Sequence, residues 1–531
     1  MSNNKQSNSA LATLVTVFFF WGFIAASNGI FIPFCKKYFN LSQFQSQLID
    51  TAFYGAYFIG SYLLFLSTAL TKIDLLNKIG YKKGIIVGLF ISILGAALMI
   101  PAVDSGSFYF ILSAFFVIAL GFSLQQTSAQ PFAISLGDPS TGSHRLNLGG
   151  SVNSFGTTVG PLIVSIALFG SIKAGVSAEA DINQIKMLYM IVGGVFLLAA
   201  LIFIFSKKLP ASNFDEHVES SPKALMSLTS LTIALILIAS IGQTDIFSKL
   251  QLSAIALVVV LLVLFYSYNQ ASKNGEGWGA MKYPQLILGM LGIFTYVGVE
   301  VTIQSNLGAL LKTPEFGAYD ESKMSHFISL YWGSLMIGRW TAAISVFNLS
   351  KKIKQIMTVV VPFIAFGVII LVNNVRGNDM SDLYSYVICI AILIAGIFYG
   401  QDKPIKTLFT LSILATIAMI IGIMTTGMIA TYALLAGGLF CSIMWPSIFS
   451  LGVAGLGKYT SEGSAFLIMM ILGGAIIPPL QGAIADTNIG IHNSYIVAVV
   501  CFVFLAWIAS QMKNVLKSQG LDFDTQIGGG H

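Results

Sequence analysis

Between Leu120 and Gly160 two apolar helical runs carry Gln125, Gln126, Gln130, Asn147, Asn153, Ser154, Thr157 and Thr158, and a turn containing His144-Arg145 joins them. Neither run holds a carboxylate. In a bilayer each such amide or hydroxyl costs free energy unless a partner or a wet cavity satisfies it, so the set must point inward. Gln126 and Gln130 share a helix face at a spacing of four, and so do Asn153 and Thr157. Any one of them is also explained as glue between packed helices. The convergence of six or more is better explained by a path for a polar ligand. Two carboxylates lie inside other apolar runs. Glu300 has Tyr296 and Gln304 at i−4 and i+4 on its own face, and Asp50 lies about two turns into the run 44–71. An ionised carboxylate near mid-bilayer costs several kcal/mol unless it is paired, hydrated or protonated, so each is a candidate functional centre. Arg339 is the candidate charge partner of Glu300, which would make that pair structural. Asp50 is equally explained by a place at the outer interface.

The elements that must position these groups are transmembrane helices. Hydrophobic residues make up 56 % of the chain and charged residues 9 %, whereas about a quarter of a soluble domain is charged. Sixteen candidate spans lie near 10–34, 44–71, 84–103, 107–137, 150–173, 186–206, 225–243, 251–269, 284–311, 325–348, 354–373, 382–400, 405–427, 429–455, 463–484 and 493–512. The spans 225–243 and 382–400 are short enough to be re-entrant or interfacial. An even number of spans places both ends of the chain on one side. Of the 28 Lys and Arg, 19 lie in loops on that side, 8 in the opposite loops and Arg339 within a span, so both termini are expected in the cytoplasm. The basic residues are scattered through short loops, which argues against nucleic-acid binding. Cys35, Cys389, Cys441 and Cys501 lie far apart and form neither a disulfide framework nor a metal site. The polar start MSNNKQSNSA leads directly into an apolar run, and no cleavable signal is expected.

The first six spans form one block, 1–206. A polar stretch, KKLPASNFDEHVESSPKA (207–224), and an apolar pair, 225–269, make up a connecting region 207–283. A second block occupies 284–512 and contains a further apolar pair between 354 and 427, and 513–531 forms a tail. Setting both pairs aside leaves six spans plus six. LLNKIGYKKG (75–84) and GRWTAAISVFNLSKKIKQ (338–355) are basic turns at corresponding places in the two blocks. They resemble the degenerate loop of the major facilitator superfamily, in which two six-helix halves face a central cavity.

Longer strings are more specific. FWGFIAASNGIFIP (20–33), FQSQLIDTAFYGAYFIGSY (44–62), QTSAQPF (126–132), HRLNLGGSVNSFG (144–156), YVGVEVTIQSNL (296–307), WPSIFSLGVAGLG (445–457) and GSAFLIMMILGGAIIPPLQGAIAD (463–486) together resemble the fucose-galactose-glucose symporter family. The resemblance covers both six-helix blocks and fails over the two inserted pairs. It implies an all-α polytopic membrane protein, with two major-facilitator-type halves plus the two pairs. It also implies secondary active import of a hexose of the glucose, galactose or L-fucose type, driven by co-transported H⁺ or Na⁺ without a further cofactor. The protein is then expected as a monomer in a bacterial inner membrane, with a small sugar and the lipid bilayer as its partners.

The departures from the family's fucose-transporting members bear on mechanism. Those members have an aspartate after the span-1 asparagine, where Gly29 follows Asn28, and a span-4 glutamate, where Gln126 stands. An amide cannot exchange a proton at physiological pH, so that coupling route is absent. Asn153 matches a sugar-contacting asparagine, and Gly150 replaces a nearby sugar-contacting glutamine. At Glu300 the fucose members carry glutamine, whereas glucose and galactose carriers resemble this chain. The expectation is a coupling centre moved to Glu300, with Asp50 as second ligand, in surroundings that suit Na⁺ as well as a proton. Asn28, Gln126, Gln130, Asn153 and Gln304 are the candidates to bind sugar hydroxyls. Trp21 or Trp445 is the candidate plate under the sugar's apolar face, Trp445 standing where the fucose members have tyrosine, or else it belongs to an interfacial belt. Loss of coupling would leave a uniporter or a non-transporting receptor. An enzyme is not expected: His144, His217, His326, His492 and His531 lie in loops, at span ends or in the tail, and no nucleophile-base or metal constellation appears.

Overall fold

The computed structural model describes residues 9–24, 35, 38–40, 43–169, 182–210, 215–242, 244, 246–319, 321–347 and 349–521, with the side chains of 43–48, 50–51, 161, 165, 167–169, 182, 184 and 321–323 outside the description. Sixteen helical segments follow the sixteen candidate spans in order. They are α1 (Ser9–Ile24), α2 (Gln43–Thr71), α3 (Tyr81–Asp104), α4 (Phe108–Ser135), α5 (Gly142–Phe169), α6 (Ile182–Phe205), α7 (Pro222–Ile241), α8 (Lys249–Lys273), α9 (Pro284–Leu311), α10 (Glu321–Ala343), α11 (Lys351–Val375), α12 (Ser381–Gly400), α13 (Pro404–Met424), α14 (Gly427–Gly452), α15 (Gly457–Ala485) and α16 (Gly490–Ser518). Among the described residues thirteen of these are long and apolar enough to cross a membrane, α7 and α12 included. The other three are α1, which is short, and α5 and α10, whose polar residues dilute their apolar character.

Local chemistry sets the boundaries. Pro222, Pro284 and Pro404 open α7, α9 and α13 in the first turn, where a missing N–H costs nothing. Ser107 caps α4, and Ser248 with Gln251 forms a capping box at α8. Two of the breaks inside the spans lie beside prolines. In α14 the helix stops at Cys441 and resumes at Met444, which leaves Pro446 in a fresh first turn. In α15 a 3-10 turn at Met470–Leu472 precedes Gly473, and Pro478 and Pro479 lie within the helix that follows.

Backbone contacts divide the chain into two compact units. The first consists of Met1–Gly60, Ile79–Ser212 and Asp320–Ile390, the second of Ser61–Lys78, Asn213–Tyr319 and Ala391–His531. In the first unit α5 is sandwiched. One of its faces lies on α1, where a Cβ on Gly22 would run into the Asn153 carbonyl oxygen and a Cβ on Gly156 into the Phe19 carbonyl oxygen. Only glycine lets the two backbones approach that closely. Its other face lies on α10, with Trp340 Nε1 donating to the Ser151 carbonyl at 3.2 Å.

In the second unit α9 is the central helix, with 89 % of its apolar window buried against 28 % and 22 % for the inserted helices α7 and α8. That pair is stitched together by a Ser227–Ser267 hydrogen bond of 2.7 Å and lines the rim. The turn after α2 is fixed at several points. Asp74 Oδ1 accepts from the Asn77 amide at 2.9 Å and from Ser461 Oγ at 2.9 Å. Asn77 Nδ2 donates to the carbonyls of Asp215 at 3.1 Å and Lys458 at 2.9 Å, and Ile73 pairs with His217 in an isolated antiparallel bridge.

Candidate functional site

In the first unit the amides of α4 separate by face. Gln125 is fully buried, accepts from Trp21 Nε1 at 2.9 Å and donates to Ser92 Oγ at 3.0 Å, and Ser92 Oγ donates to the Ile118 carbonyl at 3.1 Å. Trp21 is itself only 4 % exposed, with its ring 4.4 Å from that of Phe18. Gln126, one residue on and rotated by about 100°, is half-buried and donates from Nε2 to Tyr57 Oη at 2.9 Å. Gln130 is buried, and its Oε1 meets no hydrogen-bond partner among the described residues. A buried acceptor left open is costly, so Gln130 is a place where a further donor would be favourable.

On α5, Asn153 is half-buried and spends one N–H on the Phe18 carbonyl at 3.1 Å. Arg339, on α10, donates from Nη1 to Ser154 Oγ at 3.0 Å, and its stem lies over Gly150, where a Cβ would come within 3.1 Å of Arg339 Cδ. A side chain larger than glycine at position 150 would press on that stem. Arg145 has a different task. Its guanidinium binds the carbonyls of Ala133 (2.8 Å), Ile134 (2.7 Å) and Asp138 (2.6 Å) together with Thr141 Oγ1 (2.8 Å). It thereby satisfies the open carbonyls at the end of α4.

In the second unit Glu300 lies on α9, half-buried, and Oε1 accepts from Tyr296 Oη at 2.8 Å. The Tyr296 ring is 6.1 Å from that of Trp445, which in turn stacks on Phe449 at 6.2 Å. Gln304 is half-buried one turn beyond Glu300. Glu300, Tyr296 and Trp445 are thus one cluster, built from the i−4 neighbour on α9 and from the restart of α14.

The expected residues therefore fall into two sets. Trp21, Gln126, Gln130, Asn153 and Arg339 belong to the first unit, and Glu300, Gln304 and Trp445 to the second. Arg339 donates to Ser154, and Glu300 accepts from Tyr296. Asn28 lies outside the described residues. Asp50 lies on α2, with its side chain outside the description. Sequence reasoning passed over Tyr57 and Ser92, and assigned no role to Gln125 within the site. The signal for Gln125 was its place beside Gln126, which on a helix sends the two amides to different neighbours. Among the described residues no group of three or more His, Cys, Asp or Glu side chains could hold a metal ion.

A set of apolar helices with amides and one carboxylate turned inward is the architecture of a polytopic transporter of the major facilitator superfamily. Its fold is shared by the crystal structure of the Escherichia coli fucose:proton symporter, with a TM-score of 0.62 at 22 % identity over 94 % of this chain and 98 % of that one. No family model matches the chain. A Brucella abortus biovar 1 protein named glucose/galactose transporter is 32 % identical over 507 residues, which cover 95 % of this chain and 94 % of that protein. The L-fucose-proton symporter of Escherichia coli K12 is 27 % identical over 508 residues, 93 % of this chain and 91 % of that one. Both are named as transport proteins and neither as an enzyme. The chain belongs to the fucose-galactose-glucose symporter family of the major facilitator superfamily.

Proposed function

We propose that this chain is a secondary sugar transporter that imports a hexose of the glucose, galactose or L-fucose type by alternating access, coupled to H⁺ or Na⁺. The observation that carries the coupling is Glu300, a half-buried carboxylate midway along the most buried helix of its unit, held by the Tyr296 hydroxyl beside Trp445. A carboxylate so placed has a use when a proton or cation neutralises it for part of the cycle. Asp50 is the second coupling residue. The sugar class is supported by the 32 % identity to the Brucella glucose/galactose transporter along nearly the whole chain. In this reading Gln126, Gln130, Asn153 and Gln304, with Asn28, hydrogen-bond the sugar hydroxyls. Trp445 is the aromatic plate rather than Trp21, because Trp445 is half-exposed while Trp21 is buried with its N–H given to Gln125.

The working halves are 1–206 and 284–512, with the inserted pairs outside the substrate path. The excess of Lys and Arg in the loops on the terminal side supports cytoplasmic termini in a bacterial inner membrane. The test is uptake of labelled glucose, galactose and L-fucose into proteoliposomes under an imposed Na⁺ gradient or an imposed proton gradient, one at a time. Accumulation under Na⁺ alone makes Glu300 a cation ligand, and accumulation under a proton gradient alone makes it a proton carrier. Downhill equilibration without accumulation would identify a uniporter, and binding without flux a receptor. Absence of both binding and flux for all three sugars would remove the sugar reading.

A further inference from the structure

The sequence assigned no role to Tyr57. It is 3 % exposed on α2, and its own carbonyl accepts from Ser123 Oγ at 3.1 Å, which pins α2 to α4 beside it. Its ring stands edge-on to that of Phe53 at 5.2 Å, and Phe53 stacks on Phe115 at 5.8 Å, so the phenol is held in one orientation. Its hydroxyl oxygen accepts from Gln126 Nε2 at 2.9 Å. A phenol that accepts still has its own proton to give, and an amide that donates still has its carbonyl to receive with. Among the described residues neither group meets a second side-chain partner. Fixed side by side, the two offer one donor and one acceptor. The count is the same with the amide turned over, since a phenol that donates to the amide oxygen leaves an oxygen lone pair and an N–H on offer.

A donor and an acceptor at this separation are the complement of a sugar hydroxyl, which gives one hydrogen bond and takes another. We propose that Tyr57 is a specificity-determining residue that, together with Gln126, binds one ring hydroxyl of the hexose. This rests on the reading of the chain as a sugar transporter. Tyr57 both touches the substrate and fixes the amide, so removing its hydroxyl weakens one contact and loosens the other.

The test is binding of glucose, galactose and L-fucose, and of the set of monodeoxy derivatives of whichever binds best, to the purified protein and to Tyr57→Phe. Phenylalanine keeps the ring and its packing. For the parent sugar, Tyr57→Phe is expected to weaken binding by about tenfold, the effect of one or two hydrogen bonds. One monodeoxy sugar, and only one, is expected to bind the wild type about tenfold worse than the parent and to bind Tyr57→Phe as well as the parent does. Gln126→Met is expected to pick out the same position, which keeps the test alive if Tyr57→Phe fails to fold. A uniform loss across all the deoxy sugars, or no loss, would overturn the role of Tyr57 while leaving the sugar reading intact. Absence of binding of any of the three sugars to the wild type would overturn both.

Discussion

The α4–α5 region of the first unit and the α9–α14 region of the second solve the problem of polar groups inside a membrane in opposite ways. The first relies on amides and hydroxyls, with its cations Arg145 and Arg339 donating to helix-end carbonyls and to Ser154, and most of the amides are spoken for: Gln125 by Trp21 and Ser92, Gln126 by Tyr57, Asn153 by the Phe18 carbonyl. The second keeps a carboxylate, Glu300, which accepts from the Tyr296 hydroxyl. A neutral network presents the same face at every pH and every cation concentration, which suits recognition. A carboxylate changes its energy steeply with whatever neutralises it, which suits coupling. The difference teaches that binding and coupling are separable in this chain, and mutations on the two sides should fail in different ways.

The largest expected effect is at Glu300. Glu300→Gln keeps the shape and the bond from Tyr296 but can neither carry a proton nor hold a cation. Accumulation against a gradient should be lost altogether while sugar exchange across the membrane continues, measured as uptake and counterflow in the same proteoliposomes. If accumulation persists, the coupling centre is elsewhere and Asp50 becomes the first residue to change. The two tryptophans should then separate cleanly. Trp445→Ala should weaken sugar binding by about tenfold, by loss of an aromatic face, with little change in melting temperature. Trp21→Phe should do the reverse. It strands the Gln125 carbonyl in the interior and should cost about 1–3 kcal/mol of stability, read by thermal unfolding in detergent, with sugar affinity nearly unchanged.

An effect of the same size tests the scaffold beneath the neutral network. Gly156→Ala puts a methyl group where the Phe19 carbonyl oxygen now lies and must push α1 off α5. A loss of about 1–3 kcal/mol is expected in the same unfolding assay, as for overpacking generally. An unchanged melting temperature would show that the two helices are not held at the separation described.

Much of this was readable in the chain. Apolar periodicity and length located all sixteen helical segments, because an apolar run of about twenty residues has few other fates. The Tyr296–Glu300 bond follows from spacing on a single helix. What could not be read were the bonds between helices distant in sequence. The type of a residue does not reveal that Gln125, more than a hundred positions on, takes the Trp21 N–H. Arg145 looked like a basic turn residue, yet it closes the end of α4 through the Ala133 and Ile134 carbonyls and ties in the turn through that of Asp138. Tyr57 drew no notice, since a tyrosine in an apolar run has no distinguishing spacing until Gln126 is placed against it. Helix existence is local, whereas the choice between glue and ligand depends on who stands opposite.

Asp74 provides the control for Glu300, a second carboxylate of the same unit with a different task. It lies in the turn after α2, outside the spans, only 2 % exposed, and accepts from the Asn77 amide and from Ser461. Burial raises its pKa above the ordinary 3.8, and the hydrogen bonds from Asn77 and Ser461 offset only part of that. The folded state therefore holds the proton more tightly than the unfolded chain. Ionised Asp74 thus costs the fold stability: the cost is absent well below the ordinary carboxylate range and grows as pH rises through it, until the raised folded value has been passed. Asp74→Asn removes the charge but keeps an oxygen for Asn77 and Ser461. It should leave accumulation intact and flatten the dependence of melting temperature on pH over the range, starting at the ordinary carboxylate pKa, in which the wild type gives up this proton, with the variant equal to or slightly more stable than the wild type above it. Asp74→Ala keeps no acceptor and should lose about 1–3 kcal/mol at any pH in that range. A loss of accumulation in Asp74→Asn with the melting temperature unchanged would break the distinction, since it would give the buried turn a part in coupling alongside Glu300.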